Sequence, residues 1–357
     1  MKSISKFFFS RTVFAMTFIL FFLTCILGCT LETKKDHKTE PLRVIFDTDI
    51  GGDNDDASAT AILHALADSG KVDILAMGVV SAYPYAAACL DAINTYYGRG
   101  TIPIGVIKTK PASFYQSQST SVTNYSQPVA EKCPYDIEPE SQIPDVVQVY
   151  RKILASQPNG KVTMIAVGMM DNLVNLINSN PDEYSKLTGY ELVKCKVSVL
   201  FVMAPYFNEQ NEYQRAYNFT TSPGSAVELV KKWPTKIKFG EGNLGHEHFI
   251  GSWLRKTPAE NPVRVAFEAW SKLRLDSTAV ARDRHCADPT TVIYAVYGLK
   301  YFNEVGPGAC DIRQEDGSTR WDSITNRQNY YNTQKLPIDE LELIMNRLLI
   351  QPPKRTN

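Results

Sequence analysis

Runs of apolar residues alternate along the chain with segments whose apolar positions recur at helical spacing. Leu42 to Phe46 is a short apolar run, broken only by Arg43, that leads straight into glycine and aspartate, as a strand buried on both faces does. Asp56 to Ala67 follows with Ala57, Ala61, Ile62, Ala65 and Leu66 on one helical face. Val72 to Val80, Ile102 to Val106, Val162 to Val167, Val197 to Met203 and Lys236 to Phe239 carry the strand pattern. Helical patterns lie between or after them at Ala86 to Tyr97, Val146 to Ala155, Leu173 to Ile177, Ser225 to Lys232, Val263 to Leu273, Thr290 to Tyr297 and Leu336 to Leu349. Strands apolar on both sides and separated by amphipathic helices predict an α/β fold: an open, mostly parallel sheet with helices on both faces. The long polar stretch Ala112 to Ser141 reads as a lid, a binding loop or a surface insertion. The polar segment after Cys310, with Trp321, Tyr330 and Tyr331, is expected to form a hairpin closing one edge of the domain.

The N-terminus changes where that domain begins. Lys2, Lys6 and Arg11 precede an uncharged stretch from Thr12 to Leu27, the arrangement of an export signal, and the stretch is short for a membrane span. It ends at Gly28-Cys29, a small residue before cysteine, which resembles a bacterial lipoprotein processing site. Cys29 would then be the lipidated first residue of a protein anchored at the cell envelope, touching the membrane through its lipid alone. Residues 29–41 read as a polar tether, 42–350 as a single domain and 351–357 as a tail.

Charge excludes one class of partner. Lysines and arginines equal aspartates and glutamates at 38 each, and removing residues 1–28 with Lys2, Lys6 and Arg11 leaves 35 basic against 38 acidic side chains. Such a balance offers no basic surface for nucleic acid. The five cysteines beyond Cys29 are widely spaced without paired metal-ligand spacing, so zinc is not expected and no disulfide is assignable.

The candidate chemistry lies directly after the first strand. Asp47, Asp49, Asp53, Asp55 and Asp56 stand within ten residues around Gly51 and Gly52. Carboxylates this dense beside a buried strand repel one another unless a cation joins them. With no histidine or cysteine among them, calcium is expected, and magnesium less so. Helix capping would account for Asp55 and Asp56 but not for Asp47 and Asp49. An EF-hand would need an acidic residue where Ser58 stands. A phosphohydrolase with Asp47 as nucleophile is a further reading, poorly continued by Ile50-Gly51.

The segment VIFDTDIGGDNDDASATAIL, Val44 to Leu63, resembles the opening of the inosine-uridine nucleoside hydrolase family, in which an Asp-x-Asp-Pro-Gly-x-Asp-Asp loop follows the first strand. Here Ile50 replaces the proline and the loop is two residues longer, as in a divergent branch. Gly168 to Leu173 resembles a family segment that gives a backbone carbonyl to calcium, a role that would fall on Asp171. Ala216-Tyr217-Asn218 resembles a sugar-holding Glu-x-Asn segment, with alanine for the glutamate, and Asp288 matches a late metal-binding aspartate whose preceding histidine is Ala287 here.

The resemblance implies a calcium-dependent hydrolase of N-glycosidic bonds in ribonucleosides or related glycosides. Asp49, Asp56, Asp288 and the Asp171 carbonyl would hold the ion. Asp49, with Asp55 as the alternative, would take the proton of the attacking water. Asn218 and Asp47 would meet the sugar, Glu241 would replace the missing glutamate, and His285, Tyr206, Tyr217 or Tyr83 would face the leaving group. A homo-oligomer is also implied by the resemblance. Ala216 and Ala287 support a second reading, a nucleoside- or sugar-binding lipoprotein that keeps the fold without turnover.

Overall fold

A computed structural model describes residues 40–109, 124–139, 141–273, 282–325 and 327–354. The expected signal segment, Cys29, most of the tether and much of the polar stretch Ala112 to Ser141 lie outside the described residues.

The chain enters the domain on β1 (Leu42–Thr48), passes through α1 (Asp55–Asp68), β2 (Val72–Val79), α2 (Ala86–Tyr96) and β3 (Ile104–Val106), then α3 (Ser126–Lys132) and α4 (Val146–Ser156). It continues with β4 (Val162–Ala166), α5 (Asp171–Ile177), α6 (Gly189–Lys196), β5 (Val197–Met203), α7 (Tyr217–Thr220), α8 (Pro223–Lys232) and β6 (Lys236–Gly240). The last part holds α9 (Gly242–Glu247), β7 (Phe249–Ile250), α10 (Pro262–Leu273), β8 (Arg284–His285), α11 (Ala287–Tyr297), β9 (Phe302–Ile312), β10 (Thr319–Asp322), β11 (Asn329–Gln334) and α12 (Ile338–Leu349).

Nine strands form one sheet in the order β10-β9-β11-β6-β5-β4-β1-β2-β3, parallel from β3 through β11 and antiparallel at β9 and β10. The apolar runs mark the parallel strands because both sheet faces are covered. Val44 and Phe46 point into a core shared with α1, α2, α11 and α12, while Ile45 between them enters a second core with α4, α5, α6 and α8. In β5, Phe201 and Met203 belong to the first core and Leu200 and Val202 to the second. A two-faced strand therefore has no polar side to show, and period-2 alternation disappears from its sequence.

The hairpin expected after Cys310 is β9–β10, where Trp321 pairs with Cys310. Tyr330 and Tyr331 belong to a further strand, β11, which joins β6 in parallel. Part of the polar stretch is built into the core: Tyr125, fully buried, donates its backbone N–H to the Gly51 carbonyl at 3.1 Å, so this segment clasps the acidic loop. The five described cysteines are free thiols.

Arg151 on α4 is 2% exposed and binds Asp182 through Nε at 2.6 Å and Nη2 at 3.0 Å, with Nη2 also reaching the carbonyls of Ser185 and Leu187. This one side chain satisfies the loop that precedes α6. Arg151→Met keeps the buried stem but strands those acceptors, and is expected to cost about 3 kcal/mol of stability in urea unfolding.

Candidate active site

In the order β3-β2-β1-β4-β5-β6 the direction of strand addition reverses between β1 and β4, and a crevice opens beyond the carboxyl ends of the strands at such a point. A cavity of about 450 Å³ lies there, a size typical of small-molecule sites. Its wall takes residues from the segments that follow successive strands. Asp49, Gly52, Asp53, Asp55 and Asp56 follow β1, Tyr83 follows β2, and Val167 follows β4. Met203 and Tyr206 come from the end of β5, Ala216, Tyr217 and Asn218 from the start of α7, His246 from α9, and His285 and Asp288 from either side of the turn into α11.

Close backbone packing sets the acidic loop. A Cβ on Gly168 would stand 2.7 Å from the Asp49 nitrogen and 2.8 Å from its Cβ, so only glycine lets the turn after β4 press against Asp49. Thr48 donates its hydroxyl to the Asp56 carboxylate and accepts the Ile50 N–H at 3.2 Å. The Asp288 N–H points at Asp55 Oδ2 at 3.4 Å across 233 positions of sequence.

Carboxylate oxygens of Asp55, Asp56 and Asp288 all lie within 4.8 Å of one another, and all three residues are buried. Burial, and then the charge of Asp53, pushes the Asp55 carboxyl well above the ordinary range. Asp56 is raised by burial and by Asp49 and Asp55, and Asp288 by burial and by Asp55, Asp56 and Asp49. Asp49 moves up to about 7, chiefly through burial, against hydrogen bonds to its own N–H and to Asp56. No lysine or arginine among the described residues pairs with Asp49, Asp55, Asp56 or Asp288. Buried like charges without a protein cation, presented through oxygen donors alone, fit a hard divalent ion.

Of the residues expected from sequence, Asp49, Asp55, Asp56, Asn218, His285 and Asp288 line one cavity together with Tyr83, Tyr206 and Tyr217. Asn218 donates Nδ2 to the carbonyls of Val167 (2.6 Å) and Met203 (3.1 Å), leaving Oδ1 as an acceptor. Three others stand apart. Asp47 is 1% exposed, accepts from Tyr150 and from Asn172 at 2.8 Å, and is pushed up to about 7 by burial, so it supports the end of β1 from below the cavity wall. Asp171 opens α5 and binds the hydroxyls of Ser222 (3.0 Å) and Ser225 (2.8 Å); the cavity-lining residue of its segment is Val167. Glu241 caps α9, accepting the N–H groups of Leu244 (2.8 Å) and Phe207 (2.9 Å), which occupies both its oxygens with backbone.

Sequence reasoning missed His246 and the partnership of Asp53. Arg284 lies over the Trp270 ring at 4.0 Å, contacts Asp53 at 3.3 Å and reaches His285 Nε2 at 3.1 Å. His246 stacks on His285 with ring centres 4.2 Å apart and planes 11° from parallel. The one local signal is Gly242-x-x-Gly245-His246 following a strand.

No protein-family model matches the chain, and no curated protein matches it. Solved structures do. A plant nucleoside hydrolase, PpNRh1, is 18% identical over 87% of this chain and 100% of its own, with a TM-score of 0.61. The purine-preferring ribonucleoside hydrolase of Gardnerella vaginalis is 13% identical over 86% of this chain and 98% of its own, at 0.62. The inosine-uridine preferring nucleoside hydrolase of Bacillus anthracis is 12% identical over the same shares, at 0.62. The chain therefore has the nucleoside hydrolase fold, and the likeness carried by the acidic loop holds at the level of architecture.

Proposed function

We propose that this protein is a divalent-metal-dependent hydrolase of N-glycosidic bonds in ribonucleosides or related glycosides, lipid-anchored through Cys29 at a bacterial cell envelope. The observation that carries the reading is the meeting of Asp55 and Asp56 with Asp288 in a cavity at the switch point of a nucleoside hydrolase fold. Asp55, Asp56 and Asp288 would hold the ion, with Asp49 beside Asp56; the all-oxygen donor set favours calcium, with magnesium second. When bound, the ion supplies Lewis acidity and a docking point for sugar hydroxyls.

The side chains divide the remaining work. Asp49, half-buried and touching the cluster, accepts the proton of the attacking water. Asn218 presents Oδ1 to a sugar hydroxyl, its own amide being fixed by two carbonyls. The carboxylates around the ring stabilise positive charge at the anomeric carbon as the bond to the base breaks. Tyr83, Tyr206 and Tyr217 offer flat surfaces to a planar aglycone.

Purified protein incubated with a nucleoside panel in millimolar CaCl₂ is expected to release reducing sugar. Chelation should stop the release and added calcium restore it. Sugar release that persists in chelator defeats the metal role. Calcium-dependent thermal stabilisation by nucleosides, with no product after long incubation, would identify a binding protein instead.

A further inference from the structure

We infer that the preferred substrate is a ribonucleoside with an apolar 5′ end, a methyl or alkylthiomethyl group in place of the hydroxymethyl; the inference rests on the hydrolase reading above. The cavity wall divides by chemistry. The loop after β1 and the start of α11 bring carboxylates, while tyrosine and histidine rings come from the segments after β2 and β5, from α9 and from β8. The ends of β4 and β5 and the start of α7 bring carbon and a thioether, from Val167, Met203 and Ala216.

The Asn218 amide builds this apolar part. Its Nδ2 donates to the Val167 carbonyl at 2.6 Å and the Met203 carbonyl at 3.1 Å, and stands 3.3 Å from the Met203 sulfur, tying the first turn of α7 to two strand ends. The backbone around it is already satisfied. The Val167 N–H goes to the Asp47 carbonyl at 2.8 Å. The Ala216 carbonyl accepts the N–H groups of Phe219 (3.1 Å) and Thr220 (2.9 Å) and the Thr220 hydroxyl (3.0 Å). Val167, Met203 and Ala216 are all buried, and what they show the cavity is apolar. Asn218 Oδ1, the side-chain acceptor of this part of the wall, serves a ring hydroxyl in the reading above.

A ribofuranoside carries its diol on one edge, and the base on C1′ and the 5′ group on C4′ leave from opposite ends of that edge. With the diol at Asp55, Asp56 and Asp288 and C1′ beside the water of Asp49, one end meets the rings and the other meets the apolar wall. A planar base, polar at its rim, belongs with the aromatic and imidazole side chains. The 5′ group is left with Val167, Met203 and Ala216. A hydroxyl there gives up water and gains no hydrogen-bond partner. A methyl or thioether buries apolar area instead, and Met203, unbranched and polarisable, adapts to its size. A 5′-phosphate is placed worst, because five aspartates line the cavity and, among the described residues, no lysine or arginine does. The reaction itself is unchanged: water adds across the C–N bond, giving the free base and a 5-deoxy- or 5-alkylthioribose.

The test presents the full-length protein in calcium with adenosine, 5′-deoxyadenosine, 5′-methylthioadenosine and adenosine 5′-monophosphate. Both apolar analogues are expected to exceed adenosine in kcat/KM by at least about tenfold, and the monophosphate to fall about 10²-fold below it. Ala216→Gln, which sets an amide on the wall, should swing the ratio of 5′-methylthioadenosine to adenosine by about tenfold or more toward adenosine. Ala216→Ser, a smaller change, should move it the same way. A wild-type preference below about tenfold, or a ratio unmoved in both variants, would overturn the inference while leaving the hydrolase intact. A wild-type protein that cleaves none of the compounds would remove the hydrolase reading itself, and this inference with it.

Discussion

Asp288→Asn is expected to reduce nucleoside hydrolysis at least about 10³-fold while making the metal-free protein more stable, not less. The amide keeps the size of the side chain, and the backbone N–H directed at Asp55 is untouched. What disappears is one of three carboxylates crowded within 4.8 Å. Without an ion that charge opposes the fold, because Asp288 is buried among Asp55, Asp56, Asp49 and Asp53 and its proton is held far more tightly than in an unfolded chain. Removing it relieves the repulsion. With an ion present the same charge is a ligand, and its loss weakens both the binding of the ion and the stabilisation of the sugar cation. Activity and apo stability should therefore move in opposite directions, as strained functional sites do. Melting in chelator at pH 8 and sugar release in calcium measure the two halves. A variant that loses activity and stability together would indicate an ordinary packing residue. One that hydrolyses within tenfold of wild type would remove Asp288 from the chemistry.

The sequence carried the sheet further than it carried the site. Largely apolar runs exposed β1, β2, β4 and β5 because strands covered on both faces place most of their side chains in one core or the other. Helices α6 and α9 were silent: α6 is a short segment set by its Thr188–Glu191 capping box, and α9 has six residues, two of them glycines kept for contact with Tyr206 and Ala287. At the site, the aspartates nearest the first strand were conspicuous as a group, yet composition does not separate a carboxylate that faces the cavity from one that holds the frame. Asp47 is turned inward by Tyr150 and Asn172, which lie 103 and 125 positions away. Asp171 is claimed by two serines more than 50 positions later. Glu241 is taken by the backbone of its own helix. Asp53 meets Arg284 only because the second half of the chain folds back over 231 positions. Such pairings belong to the tertiary structure, and a linear pattern does not encode which partner each acid finds.

The stability of the metal-free protein should fall as pH rises, and calcium should reverse the trend. Asp49 and Asp47 have folded-state values near 7 against an ordinary 3.8, and Asp55, Asp56 and Asp288 are likewise raised well above it by burial and mutual repulsion. A carboxyl whose value is raised on folding favours the folded state fully below its unfolded value. That advantage is lost as pH climbs toward the folded value, since the unfolded chain has already released its proton. The decline starts near pH 4 and runs through pH 7 for Asp47 and Asp49, and the three clustered aspartates add to it in the same direction. For Asp47, 1% exposed, the shift from 3.8 to about 7 is on the order of 4 kcal/mol. Asp47 lies outside the cavity and contributes whether or not an ion is bound. The clustered acids do not: an ion binds only their ionised forms and competes with protons below neutrality. Calcium at a hundredfold excess over its Kd adds about 2.7 kcal/mol where the cluster is ionised, and much less at pH 5. Melting curves in chelator should drop from pH 5 to pH 8.5, and those in calcium should separate from them progressively, by about 5 °C or more at the alkaline end. Coincident curves across that range would mean that the buried aspartates bind no ion, and that their charges are quenched by protons alone.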